Sequence, residues 1–260
     1  MAMAFPPPCT SAATVNDAIA VMEQIDRALP PRDGLASFNR MYLGVIRQVQ
    51  ARIEQNIFRN PEFMGTLEVV FANIYFDAVN AMVTTPNAIP TAWRPLFTAR
   101  NRTDIYSIQF ALAGMNAHIN HDLPIALVRA CTQQSTAPEA GTNHRDYQQV
   151  DALLDAAEMS VRHSFESREV LKADRTVQTV LDLVDNWSIK AARDMAWSTS
   201  LALWRCRGDT TVEDLLMNSL ASTVSLSSNC LLTAPEREPH IPITAPCDRV
   251  WKSVGVLLRG

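Results

Sequence analysis

Apolar residues return every three to four positions through most of this chain, and that period constrains its fold more than any other feature. Val15, Ile19, Met22 and Ile25 form one stripe, and Met41, Val45, Val49 and Ile53 form a second. Phe63, Leu67, Val70, Phe71, Ile74, Val79 and Met82 wrap most of a third helix. Val150, Leu153, Leu154, Ala157, Val161 and Phe165 line another. A strand alternates its faces with period two and cannot use such patterns. Glycine, which weakens helices, accounts for only 8 of 260 residues. The expectation is an all-α protein without a regular sheet, built as a single bundle-like domain of about eight to ten helices.

Punctuation divides the bundle. Residues 1–13 are rich in proline and small side chains and read as a flexible N-terminal arm; 14–260 read as the helical domain. Thr14 can cap a first helix to Leu29, which Pro30-Pro31-Arg32-Asp33-Gly34 ends. A second helix is predicted from about Ser37 to Ile57. Asn60-Pro61-Glu62 starts a third, to about Met82. Further helices are expected over 104–121, 124–131, 146–168, 170–184, 185–206 and 210–227. Residues 132–145 form a polar loop, a potential lid carrying His144. Pro235, Pro239, Pro242 and Pro246 predict an extended strap over the bundle, before a short terminal helix.

Composition removes several classes. A net charge of −4 and the lack of a basic stripe argue against nucleic acid. The 5 cysteines are odd in number and lack a Cys-x-x-Cys, so they predict reduced thiols and a cytoplasmic setting. Met1 to Cys9 has no basic segment before an apolar core, and no apolar run reads as long enough to span a bilayer. No phosphate loop, Gly-x-Ser-x-Gly or dinucleotide fingerprint is present.

One stretch concentrates chemistry. From Ala111 an apolar helix becomes Asn116-Ala117-His118-Ile119-Asn120-His121-Asp122 and meets Pro124. At ~100° per residue, His118 and Asp122 lie one turn apart on one face, with His121 about 60° to the side. Gly114 on that face leaves room for a backbone or a ligand. Asn116 and Asn120 fall on the opposite side. Pro124 should kink or restart the helix and free the Asn120 carbonyl. Buried polar groups need partners, so this density implies a bundle cross-link or a site. His118 and Asp122 suit a metal-ligand pair, or a couple in which the carboxylate fixes the imidazole for proton transfer. On the third helix Asn73 and Asp77 lie in a narrow polar stripe that either faces solvent or faces His118. Trp187 and Trp197 are candidates for the apolar wall of a pocket with Arg193 or Asp194 at its mouth; core packing is the alternative for the tryptophans.

Several runs resemble a largely bacterial domain-of-unknown-function family, numbered 5995. They are Phe38 to Leu43, Phe71 to Val79, Trp93 to Phe97, Ile108 to Ala126 and Asp146 to Leu154, within about residues 34–207. The run Asn-Ala-His-Ile-Asn-His-Asp-Leu-Pro, residues 116–124, is the most specific. The resemblance implies membership and fold, without a reaction. His-x-x-x-Asp at 118–122 also resembles a fragment of helical zinc phosphoesterases, whose next His would fall at position 128, here Val.

Three functions compete. The first is an enzyme performing acid–base chemistry, such as cyclisation or isomerisation, on a small, largely apolar molecule in biosynthesis. His118, His121, Asp122 and Asp77 would be catalytic, and Asn73, Asn116, Trp187, Arg193 and Trp197 would bind substrate. The second is a hydrolase dependent on a divalent metal held by His118 and Asp122, with His121, Asp77 or His144 completing the shell. The third is a non-enzymatic protein that binds a lipid-like ligand or a partner helix.

Overall fold

The computed structural model describes residues 6–151, 154 and 188–234. Trp187, His163, the helix expected over 170–184, the C-terminal strap and the terminal helix lie outside them. Among the described residues every regular element is helical.

The helix starts follow their capping chemistry. α1 (Val15–Ala28) opens on a reciprocal box, in which the Thr14 hydroxyl accepts from the Asp17 amide and Asp17 accepts from the Thr14 amide. α2 (Gly34–Glu54) is capped by Asp33, which accepts from the Leu35 amide. α3 (Pro61–Thr84) has Asn60 as cap and Pro61 at its first position, where no amide is needed. α4 (Arg94–Ala99) is short. α5 (Ser107–Ala117) runs into a π-helical turn (His118–Asp122) and on into α6 (Leu123–Gln133). α7 (Asn143–Gln149) takes up the end of the expected 132–145 loop, so His144 lies on a helix. α8 (Ile189–Cys206) and α9 (Thr210–Leu231) complete the described set.

Pro124 does not break the rod. It lacks an amide, and its ring would collide with the Asn120 carbonyl in a regular α-helix. Widening the preceding turn relieves the collision, and the Leu123 amide donates to His118 O, five residues back. α5, the π turn and α6 form a central rod, against which α2, α3, α8 and α9 pack. Two glycines set the closest approach of α2 to α5. A Cβ on Gly114 would lie 2.4 Å from the Phe38 ring, and one on Gly34 2.5 Å from Phe110. The room that Gly114 provides is therefore filled by Phe38.

α3 has 24 residues with a mean hydropathy of 1.2 over its best window, so by length and composition it could cross a bilayer, contrary to the sequence expectation. Its apolarity has a local use, because α3 packs on α1, α2, α6 and α7 and buries residues around most of its girth. The N-terminal segment is pinned rather than loose from Cys9 to Ala12. Asn73 pairs with both backbone groups of Ala12 at 2.8 and 2.9 Å, and Asn80 with both of Cys9 at 2.6 and 3.0 Å.

Candidate functional site

The π turn aims three side chains at one place. Asp122 is fully buried, and His118 is 2 % exposed. His118 Nδ1 lies 3.1 Å from Asp122 Oδ2, and His121 Nδ1 lies 2.7 Å from Oδ1. Trp93, just before α4, donates its indole N–H to Oδ2 at 3.0 Å. Burial alone would raise the Asp122 pKa; the hydrogen bonds and charges of His118 and His121 together outweigh it and hold the carboxyl below its ordinary value. An ionised carboxylate only accepts, so Nδ1 of each imidazole carries the hydrogen. Neutral His118 then presents a lone pair at Nε2. Burial pushes the His118 pKa down against the pull of Asp122, which keeps the ring neutral.

Aromatic rings enclose that imidazole. Phe71 of α3 stacks on it at 3.5 Å between centroids and 4° between planes. Tyr42 of α2 sits at 4.4 Å, and Phe38, Tyr75 and Trp93 complete the shell. Two polar atoms in it are buried without a hydrogen-bond partner among the described residues: His118 Nε2 and the Tyr42 hydroxyl. Burial first, then the negative charges of Glu68 and Asp122, hold the Tyr42 pKa well above its ordinary value, so the hydroxyl keeps its proton.

On the other side of Phe38, Tyr42 and Phe71 lies a cavity. Its volume is about 50 Å³, with a partly open mouth. Met115, Ile119, Val150 and Leu154 give it apolar walls, and its polar groups are Glu68 of α3 and Arg193 of α8. Glu68 is 7 % exposed, and its carboxylate, which makes no hydrogen bond to a described residue, faces the open space of the cavity instead of being sealed from it. Burial lifts its pKa to about 7 against the opposing charge of Arg193. Arg193 has two of its three nitrogens engaged: its Nε bonds Asp151 at 2.7 Å, and Nη2 donates to Tyr147 O at 2.6 Å.

The other residues expected in a site are placed elsewhere. Asp77 is exposed, and Asn73 spends its amide on Ala12, so the polar stripe of α3 faces the N-terminal segment and solvent instead of His118. Asn116 is buried, but its amide donates to Val224 O and Ser228 Oγ and so fastens α9 to α5. Trp197 is a buried core ring, stacked at 4.3 Å on the exposed His144 and packed against Tyr147. Neither residue lines the cavity. Among the described residues no three His, Cys, Asp or Glu side chains converge where an ion could sit. His121 turns its Nδ1 onto Asp122, and Asp77 and His144 are remote from it in packing, so the expected third ligand is not brought in.

Sequence reasoning missed Tyr42, Glu68 and Trp93. Glu68 carried a usable signal. It lies five residues before Asn73, about 140° around α3 from the polar stripe, so a carboxylate stands on the apolar face. The family model for DUF5995, a family of unknown function, matches residues 15–234. No curated protein and no solved structure matches the chain.

Proposed function

The chain belongs to the DUF5995 family, and we propose, from its own site, that it is an enzyme using His118 as a general base on a small, largely apolar organic molecule. One observation carries this reading: Asp122 is saturated with donors, while His118 Nε2 is left unpartnered beside the unpartnered Tyr42 hydroxyl, beneath an apolar cavity. A buried acceptor left unpaired costs ~1–3 kcal/mol, and an apolar ring in its place would avoid that cost. Asp122 holds the tautomer that offers Nε2 and stabilises the imidazolium formed when Nε2 takes a proton. Tyr42 is the matching donor, able to hydrogen-bond a substrate oxygen on which charge develops.

Such a couple suits isomerisation or cyclisation of a carbonyl compound, a biosynthetic type of step. Phe71 and Tyr42 stand between the cavity and His118, so the reaction requires one of those rings to swing aside. Cys9, Cys131, Cys206 and Cys230 are unbridged, which is consistent with a reducing cytoplasm. The metal-dependent hydrolase has less support, because Asp122, its expected second ligand, is already taken up by His118, His121 and the Trp93 indole.

Proton abstraction can be read without knowing the product. The protein is incubated in heavy water with medium-chain ketones, 1,3-diketones and lactones, and deuterium entering carbon is measured by mass spectrometry. Exchange is expected with at least one class, falling by about 100-fold or more in His118→Gln and Asp122→Asn. A parent protein that exchanges none of them, or folded variants that exchange as fast as the parent, would overturn the proposal. Ligand binding without exchange would leave the cavity as a binding module.

A further inference from the structure

We infer that the polar end of the cavity recognises the protonated amine of an otherwise apolar ligand, with Glu68 as the counter-ion. This deepens the proposed function, since it names the head group of the molecule that the same cavity takes.

The argument is one of unmatched charge. Glu68 is 7 % exposed at the cavity wall, makes no hydrogen bond to a described residue, and turns its carboxylate to the open space of the cavity. The cation in the same lining, Arg193, acts on it through space but forms its ion pair with Asp151. Its Nε is held by the Asp151 carboxylate at 2.7 Å, a terminal nitrogen is held by Tyr147 O, and its guanidinium lies 3.9 Å over the Tyr147 ring. No ion pair joins Arg193 to Glu68 among the described residues. The carboxylate without a direct ion pair is therefore Glu68, and a ligand carrying positive charge supplies one.

The walls select the same chemistry. Phe38, Tyr42 and Phe71 line the cavity, and aromatic faces attract a cation. The Tyr42 hydroxyl has no partner and can accept one N–H of an ammonium group while Glu68 accepts another. A carboxylate ligand would meet Glu68 beside a guanidinium whose charge is already paired with Asp151. A wholly apolar ligand would cover the Glu68 carboxyl and strip it of water without giving it a partner.

Entry of an ammonium group also moves a proton. Glu68 is faced by Tyr42 from α2, by Arg193 and its partner Asp151, and by Asp122 and His118 behind Tyr42. In the empty cavity burial leaves Glu68 about half protonated near pH 7. A bound ammonium favours the carboxylate, so binding releases the share of a proton that Glu68 still holds, about a quarter at pH 7.5.

The experiment uses the full chain and three probes of one shape: 2-phenylethylamine, 2-phenylethanol and phenylacetate, titrated by calorimetry at about pH 7.5. The amine is expected to bind about tenfold more tightly than the alcohol, and the carboxylate most weakly. The amine heat should vary with the ionisation enthalpy of the buffer, in the sense of proton release. In Glu68→Gln, which keeps the shape, amine affinity should fall to the level of the alcohol and the proton release should vanish. Preference for phenylacetate, no discrimination among the probes, no binding by any of them, or an amine preference that survives in Glu68→Gln would each overturn the inference. His118→Gln separates the two proposals. It should lose deuterium exchange and keep the amine preference, so failure of either readout leaves the other standing.

Discussion

Glu68 should report its burial in the pH dependence of folding. Its carboxyl titrates at about 7 in the folded chain against 4.5 when unperturbed. Below the lower value both states are protonated, and Glu68 costs nothing. Between the two, the unfolded chain gives up the proton and the folded chain does not, so stability falls as pH rises through the window. At ~1.4 kcal/mol per unit the loss approaches ~3 kcal/mol above the window. Glu68→Gln should therefore be more stable than the parent by ~2–3 kcal/mol near pH 8 and nearly equal to it near pH 4, by urea unfolding. A difference that does not change with pH would mean that the carboxyl is already ionised in the fold. The couple beneath it runs the opposite way. The lowered His118 value means that the unfolded chain takes up a proton first as pH falls below 6.5, and stability drops. Asp122, also lowered, contributes stability above 3.8 that is lost as pH falls through its folded value.

At the scale of elements, the helix periods, caps and proline stops were readable, because each is a local property of ten to twenty residues. The π turn was not. Pro124 announced an interruption, but whether the chain kinks or widens depends on what holds the two flanks in line, and here α2, α3, α8 and α9 all grip the rod. Gly114 could be read as space, but not as space for Phe38, because that choice is made by the packing of α2 on α5. The same contact yields a prediction. A Cβ at position 114 would sit 2.4 Å from the Phe38 ring, closer than atoms can approach. Gly114→Ala should destabilise the fold by ~1–3 kcal/mol through overpacking. Phe38→Leu should recover part of that loss in the double variant, a coupling measurable in a mutant cycle. Strictly additive costs would mean that the helices separate instead of repacking locally.

Across the whole molecule, the site was legible only where its parts share an element. His118 and Asp122 are four apart, and their spacing alone joins them. Tyr42, Glu68 and Trp93 come from separate elements, and only the packed bundle brings them to the same place. Asn73 and Asp77 misled for a related reason: a polar stripe has the same pattern whether it meets water, a site or the chain's own N-terminal segment. A second long-range assembly escaped notice altogether. Arg100, at the end of α4, gives Nε and Nη2 to Asp33 Oδ2 at 2.9 and 2.7 Å, with both side chains at most 2 % exposed. The Gly34 amide donates to Arg100 O at 2.8 Å, and Arg100 Nη1 lies 3.2 Å from Met82 Sδ. The start of α2, the end of α4 and the end of α3 thus meet on one guanidinium. Asp33→Ala removes the carboxylate from a buried cation and also removes the α2 cap, so a loss of about 3–5 kcal/mol is expected, a large share of a typical 5–15 kcal/mol. Asp33→Asn keeps a cap and a neutral acceptor and should lose less. Replacing both partners together, as Asp33→Leu with Arg100→Met, should cost less than Asp33→Ala alone, because no charge is then left buried. Urea unfolding of the three variants decides it; a cost below about 1 kcal/mol for Asp33→Ala would mean that water or a neighbouring group takes over the guanidinium.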